Sequence, residues 1–173
     1  IISGGKGNDQ LYGNGGDDVI NAGSSLVDTD QIFTGSGNDT VNIGFSQNSN
    51  ITLDGGSNTI NIDVDNVDID ERNALNSSGY SVHSGHTKGI TVISDGHEND
   101  TNTINVDVNP GDQAYQLSLN ASRNDKSLTK ASGSINSTQN ASFGIYGDYS
   151  TRTAKYEIDL DITAGNNRYA NSN

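Results

Sequence analysis

Four aspartates stand at the ends of short polar, mostly glycine-rich stretches. Asp9 closes Gly4-Gly5-Lys6-Gly7-Asn8-Asp9 and Asp18 closes Gly13-Asn14-Gly15-Gly16-Asp17-Asp18. Asp39 closes Thr34-Gly35-Ser36-Gly37-Asn38-Asp39, and Asp30 ends the longer stretch Ala22–Asp30. A carboxylate is a hard oxygen donor, and glycine permits backbone angles that turn carbonyl oxygens toward one point. Calcium takes about six to eight oxygens at about 2.3–2.6 Å, so carbonyl-rich corners that end in Asp can cage it.

Each corner is followed by a short apolar-centred segment. Residues 4–12, 13–21 and 34–42 fit the nonapeptide G-G-x-G-x-D-x-U-x, where U is large and apolar, with one substitution in each of the last two. The U positions continue as Leu11, Ile20, Ile32, Val41, Ile51, Ile60 and Ile69, spaced mostly by nine residues. The third turn is longer, the Gly44–Ser49 turn breaks the pattern, and Asn58 replaces the Asp of the turn before Ile60. Each unit thus supplies a six-residue turn and a three-residue strand, with the U side chains stacking inward as a thin apolar column. Two units make one coil, so alternate turns share a side. Plain Asn/Gly/Asp hairpin turns are the competing reading, but they do not require Asp at nine-residue intervals.

Over residues 3–61 the chain resembles the RTX family of secreted bacterial proteins. The resemblance implies a parallel β-roll with Ca²⁺ between successive same-side turns. It implies carboxylate ligands from Asp9, Asp18, Asp30 and Asp39, and carbonyl ligands from the turns around Gly5, Gly7, Gly16, Gly35 and Gly37. With the breaks in the pattern, two to four ion sites are expected. The family is exported unfolded, so it also implies an extracellular or bacterial cell-surface location.

Composition agrees with a cation-bound chain. The 173 residues carry 9 basic and 22 acidic groups, a net charge of −13, which repels nucleic-acid phosphate. Only 30% of residues are hydrophobic, too few for an ordinary α/β core. Backbone ladders and ions must therefore replace part of the burial. Cysteine is absent, which removes disulfides and thiolate metal sites. No apolar run of membrane-spanning length occurs. The start at Ile1-Ile2-Ser3 and the lack of Met predict a processed or excised piece of a longer protein.

The fold class expected is all-β: a parallel β-roll over residues 1–70, continuing into or capped by a β-rich region over residues 71–173. Strict alternation marks Asn58–Asp65, its near-duplicate Asn102–Val108, and Tyr156–Thr163. Period two predicts strands burying Ile60, Ile62 and Val64, then Ile104, Val106 and Val108, then Tyr156, Ile158, Leu160 and Ile162. Tyr115–Asn120 and Ser142–Tyr146 read as further strands. Residues 121–141 read as loop or weak strand, 70–76 as one helical turn, and 164–173 as a tail. Whether the second half runs parallel or antiparallel stays open at this level.

Other chemistry is weaker. His83-Ser-Gly-His86, with His97, has two-ligand zinc spacing but lies in a glycine- and serine-rich stretch. No G-x-S-x-G or H-E-x-x-H motif is present. The stripe Asp63, Asp65, Asp68 and Asp70 reads as a solvated strand face, as do Asp107, Asp159 and Asp161. A sugar- or protein-binding patch of Tyr115, Tyr146, Tyr149 and Tyr156 is the weaker alternative to core and strand-surface tyrosines. The expectation is therefore a non-catalytic, Ca²⁺-dependent structural domain of an adhesin, surface layer or extracellular filament. Its partners would be calcium ions, with self-association or a cell-surface or polysaccharide partner. The alternative is an accessory β-roll module of a secreted enzyme, such as a protease, lipase or polysaccharide-modifying enzyme.

Overall fold

The computed structural model describes residues 1–25, 27–44, 46, 48–64, 87–111, 114–147 and 154–167. These form twelve strands: β1 Ile2–Ser3, β2 Gln10–Tyr12, β3 Val19–Gly23, β4 Gln31–Phe33, β5 Thr40–Ile43, β6 Asn48–Leu53, β7 Thr59–Val64, β8 Thr87–Ser94, β9 Thr101–Gly111, β10 Ala114–Ala121, β11 Leu128–Gly147 and β12 Lys155–Asn167. Every pairing between them is parallel. The order is β1-β3-β5-β7-β9-β11-β10-β8-β6-β4-β2, with β12 on the far side of β11. The chain therefore winds as a parallel roll, laying β1, β3, β5, β7 and β9 on one face and β2, β4, β6, β8 and β10 on the other. It is all-β, as expected from the repeat.

Alternation explains why the strands hold this register. One side chain in two points inward, and the roll stacks like on like. On the odd face Ile20, Val41, Ile60 and Ile104 succeed one another; on the even face Leu11, Ile32, Ile51, Val92 and Leu119 do. All nine are at most 6% exposed, so the U positions Leu11, Ile20, Ile32, Val41, Ile51 and Ile60 lie in the core, while Ile69 lies outside the described residues. The outward positions of the odd face form a second column. Asn42 donates to Asn21, Asn61 to Asn42 and Asn105 to Asn61, each amide bond at 2.8 Å.

The second half adds coils to the same parallel stack. The near-duplicate segments noted above are direct neighbours, with Ile60 opposite Ile104, Ile62 opposite Val106 and Val64 opposite Val108. Of the two readings of stretch 121–141, loop or weak strand, the structure shows strand from Leu128 onward. After a turn through Ser127 it enters β11, whose first part lies between β9 and β12 and whose last part, from Ala141, lies on β10. One strand thus serves both faces, bending at the register shift between Ser137 and Asn140. Thr129, Ala131 and Ile135 supply its buried side, while β9 and β12 flank its first part and β10 pairs its last part despite the polar composition. β12 likewise extends through residues first read as tail. Ile158 is 36% exposed on β12, over which no other described strand lies, although Tyr156, Leu160 and Ile162 still pack on the core. The expected boundary at residue 70 and the helical turn at 70–76 lie outside the described residues. No helix among the described residues is long and apolar enough to cross a membrane.

Candidate metal centre in the stacked glycine turns

The roll collects its corners into two rows. The first row joins odd strands to the even strands that follow and contains residues 4–9 and 24–30. The second joins even to odd and contains residues 13–18, 34–39, 54–58, 95–100 and 122–127. Asp9 and Asp30 therefore share the first row, and Asp18 and Asp39 the second, separated in sequence by one coil of 21 residues.

Backbone bonds lock each turn to the next. In the second row Gly16 N–H donates to the Ser36 carbonyl at 2.9 Å and Ser36 N–H returns to the Asn14 carbonyl at 2.9 Å. Gly37 N–H donates to Gly55 at 3.2 Å. At Gly35 and Gly37 this approach leaves no room for a side chain. A Cβ on Gly37, whose φ is +136°, would stand 2.3 Å from the Gly16 carbonyl oxygen. All five predicted turn glycines, Gly5, Gly7, Gly16, Gly35 and Gly37, have positive φ.

The closing residues form ladders of their own. Asp9 N–H donates to Asp30 Oδ1 at 3.0 Å, and Asp30 N–H to Ser49 Oγ at 2.8 Å. In the second row Asp18 N–H donates to Asp39 Oδ1 at 2.9 Å and Asp39 N–H to Asn58 Oδ1 at 2.9 Å. Asn58 N–H then donates to Asn102 Oδ1 at 3.3 Å, and Asn102 Nδ2 to Ser127 Oγ at 3.2 Å. In Asp30 and Asp39 one carboxylate oxygen is thus committed to the neighbouring backbone.

Other carboxylate oxygens are buried without a partner. Asp9 Oδ2, Asp28 Oδ2 and Asp39 Oδ2 accept no hydrogen bond. Two of the corners also show oxygens gathered over a glycine. A Cβ on Gly4 would lie 2.8 Å from Asp9 Oδ2 and 2.9 Å from the Ala22 carbonyl oxygen. One on Gly13 would lie 2.1 Å from the Thr34 carbonyl oxygen and 3.4 Å from Asp18 Oδ2. Buried anionic oxygens lacking donors, beside carbonyl oxygens aimed at the same space, fit a hard cation.

Electrostatics agrees. Burial pushes the Asp30 carboxyl above its ordinary range; the Asp9 N–H opposes this, and the charges of Asp28 and Asp9 add to it. Burial raises Asp39 in the same way, opposed by the Asp18 N–H and the Thr34 hydroxyl and reinforced by the charges of Asp18 and Asp17. Among the described residues no three acidic or imidazole side chains converge to hold an ion alone. A cation here must therefore rest on carboxylates together with backbone carbonyls.

Farther along the second row the turns close differently. Asp100 Oδ2 accepts Gly56 N–H at 3.0 Å and His97 N–H at 2.7 Å. Burial raises the Asp100 carboxyl, but these bonds and the His97 ring, 3.3 Å away, outweigh it and hold the group below its ordinary range. Asp125 accepts Gly96 N–H, Ser127 N–H and the hydroxyls of Ser127 and Ser94. In these corners protein donors meet the carboxylate oxygens.

The remaining candidates scatter. His97 is 84% exposed and bound to Asp100, while His83 and His86 lie outside the described residues. Asp63, Asp107, Asp159 and Asp161 are exposed on the odd face; Asp65, Asp68 and Asp70 lie outside the described residues. Tyr115 is in the core at 1% exposure, Tyr146 is 46% exposed, and Tyr156 packs against the core, so these three do not share one open patch. Asp28 was missed by the nonapeptide register because it stands in the enlarged third turn. Its signal is the Asp28-Thr29-Asp30 spacing, repeated as Asp100-Thr101-Asn102.

Residues 1–25 and 28–42 match the family of the RTX calcium-binding nonapeptide repeat (4 copies). The N-terminal part of the chain is thus an RTX repeat segment, and calcium is the cation that the family implies. Neither the curated proteins nor the solved structures provide a match to the chain.

Proposed function

We propose that this chain is a non-catalytic, calcium-dependent structural module of a secreted or cell-surface bacterial protein, of the adhesin, surface-layer or filament kind. Calcium would be held in the first row by Asp9 and Asp30 and in the second by Asp18 and Asp39. Carbonyls of the turns around Gly5, Gly7, Gly16, Gly35 and Gly37 would complete the shell. The ion supplies charge neutralisation and cross-linking between coils, not bond-breaking chemistry.

One observation carries the reading: Asp9 Oδ2 and Asp39 Oδ2 are buried and accept no hydrogen bond, in turns whose closing N–H groups are bonded to the next coil. Without a cation these charges are uncompensated, and the narrow core cannot offset the ordering of the chain. Folding and ion binding are then one equilibrium. Millimolar extracellular calcium would close the repeat corners, whereas the corners at 95–100 and 122–127 close without metal. On this basis residues 1–70 form the calcium-dependent roll and residues 71–173 its capping or interaction region.

Circular dichroism in EGTA tests this. The expected result is a partial loss of β signal, recovered by Ca²⁺ and poorly by Mg²⁺, which demands tighter octahedral geometry. Superimposable spectra with and without calcium would refute it.

A further inference from the structure

Asp28 occupies a place where the repeat calls for glycine. Two residues before the closing position stand Gly7, Gly16, Gly37 and Gly56 in the short turns, but Asp28, Asp100 and Asp125 in three others. Asp100 and Asp125 lie in corners closed by donors, as described above. Asp28 begins the same way: its Oδ1 accepts Gly7 N–H from the turn stacked on it, at 3.0 Å. The residue is 2% exposed, yet its Oδ2 is buried and meets no donor. Asp9 Oδ2, in the turn that Asp28 contacts, is in the same condition. Asp30 feels the charge of both. Two buried carboxylate oxygens without donors, one in each of two turns bonded to each other, call for a compensating cation.

We propose that Asp28 is a direct cation ligand, acting with Asp9 Oδ2 between turns 4–9 and 24–30. This inference rests on the calcium reading above and goes beyond the nonapeptide pattern, which assigns no side chain to that position. The first-row site then carries a buried carboxylate where turns 13–18 and 34–39 have Gly16 and Gly37; their further acid, Asp17, is exposed and accepts Asn38 N–H. More ligand charge raises calcium affinity, so this site fills first.

Calorimetric titration of the full chain with CaCl₂ tests it, using wild type, Asp28→Asn, Asp28→Gly and, as control, Asp100→Asn. Asp28→Asn is expected to weaken the tightest class of sites at least about tenfold, leaving the others in place. In EGTA its melting temperature should hold or rise, because asparagine keeps an acceptor for Gly7 and removes a buried charge. Asp28→Gly restores the repeat residue, so it should fold and show the same loss of the tight class, which keeps the test decisive if the asparagine variant fails to fold. Asp100→Asn should lower the melting temperature and leave calcium affinity unchanged. Wild-type affinities and stoichiometry in both Asp28 variants would overturn the inference while leaving the calcium reading intact. A wild-type chain that takes up no calcium would overturn both.

Discussion

A carboxylate at the end of a glycine turn has two oxygens and, in this chain, two distinct tasks. In Asp39 one oxygen fixes the backbone of Asp18, while the other is buried without a donor. Replacing Asp18 and Asp39 with Ala should therefore weaken calcium binding at least about tenfold per site in a calorimetric titration. Replacing the exposed Asp63 should leave it unchanged; equal effects would mean that the wrong carboxylates have been assigned. Gly37→Ala tests the turn itself. Its positive φ and the 2.3 Å approach to the Gly16 carbonyl predict a loss of at least about 1–3 kcal/mol in denaturant titrations with calcium present. At this scale the sequence was legible where spacing was regular. Asp9, Asp18 and Asp39 follow from nine-residue spacing, whereas Asp28 does not, because the enlarged turn hides its stacking on Gly7. Nor could the sequence show that Ser49, Asn102 and Ser127 inherit the closing position, since that equivalence exists only between coils.

The elements differ in what closes them. Turns in the first two coils leave buried anionic oxygens, whereas the turns at 95–100 and 122–127 are satisfied by protein donors. Hydrogen exchange in EGTA should therefore show fast exchange over β1–β5 and retained protection over β9–β11; uniform loss of protection would contradict the division. A pH dependence follows from Asp30 and Asp39, whose carboxyls burial holds above the ordinary range. The folded state then binds protons more tightly than the unfolded one. In calcium-free buffer this contribution is present below the unfolded carboxylate value and is lost as pH rises through the raised one. The apo melting temperature should fall as pH climbs out of the carboxylate range, and a rise would show that these groups are compensated by something other than protons or metal. Alternation in Asn58–Asp65 and Asn102–Val108 revealed strands, and their likeness foreshadowed their pairing. The polar run in β11 gave no such sign, because backbone pairing with β9, β12 and β10, more than apolar content, makes it a strand.

Across the whole molecule, a net charge of −13 is spread over a roll with one narrow apolar column. Self-repulsion of this size favours the open chain until cations enter the corners. Screening by monovalent salt should therefore help folding only weakly compared with millimolar calcium. Parallel winding of the second half could not be read from period two, which is common to both strand directions; the shared register of β7 with β9 and β6 with β8 supplies it. The most direct test is a crystal grown with calcium and measured for its anomalous signal. Peaks should appear between turns 4–9 and 24–30, beside Asp9 Oδ2, and between turns 13–18 and 34–39, beside Asp39 Oδ2. Water, or no density at all, at both positions in calcium-rich crystals would contradict the account.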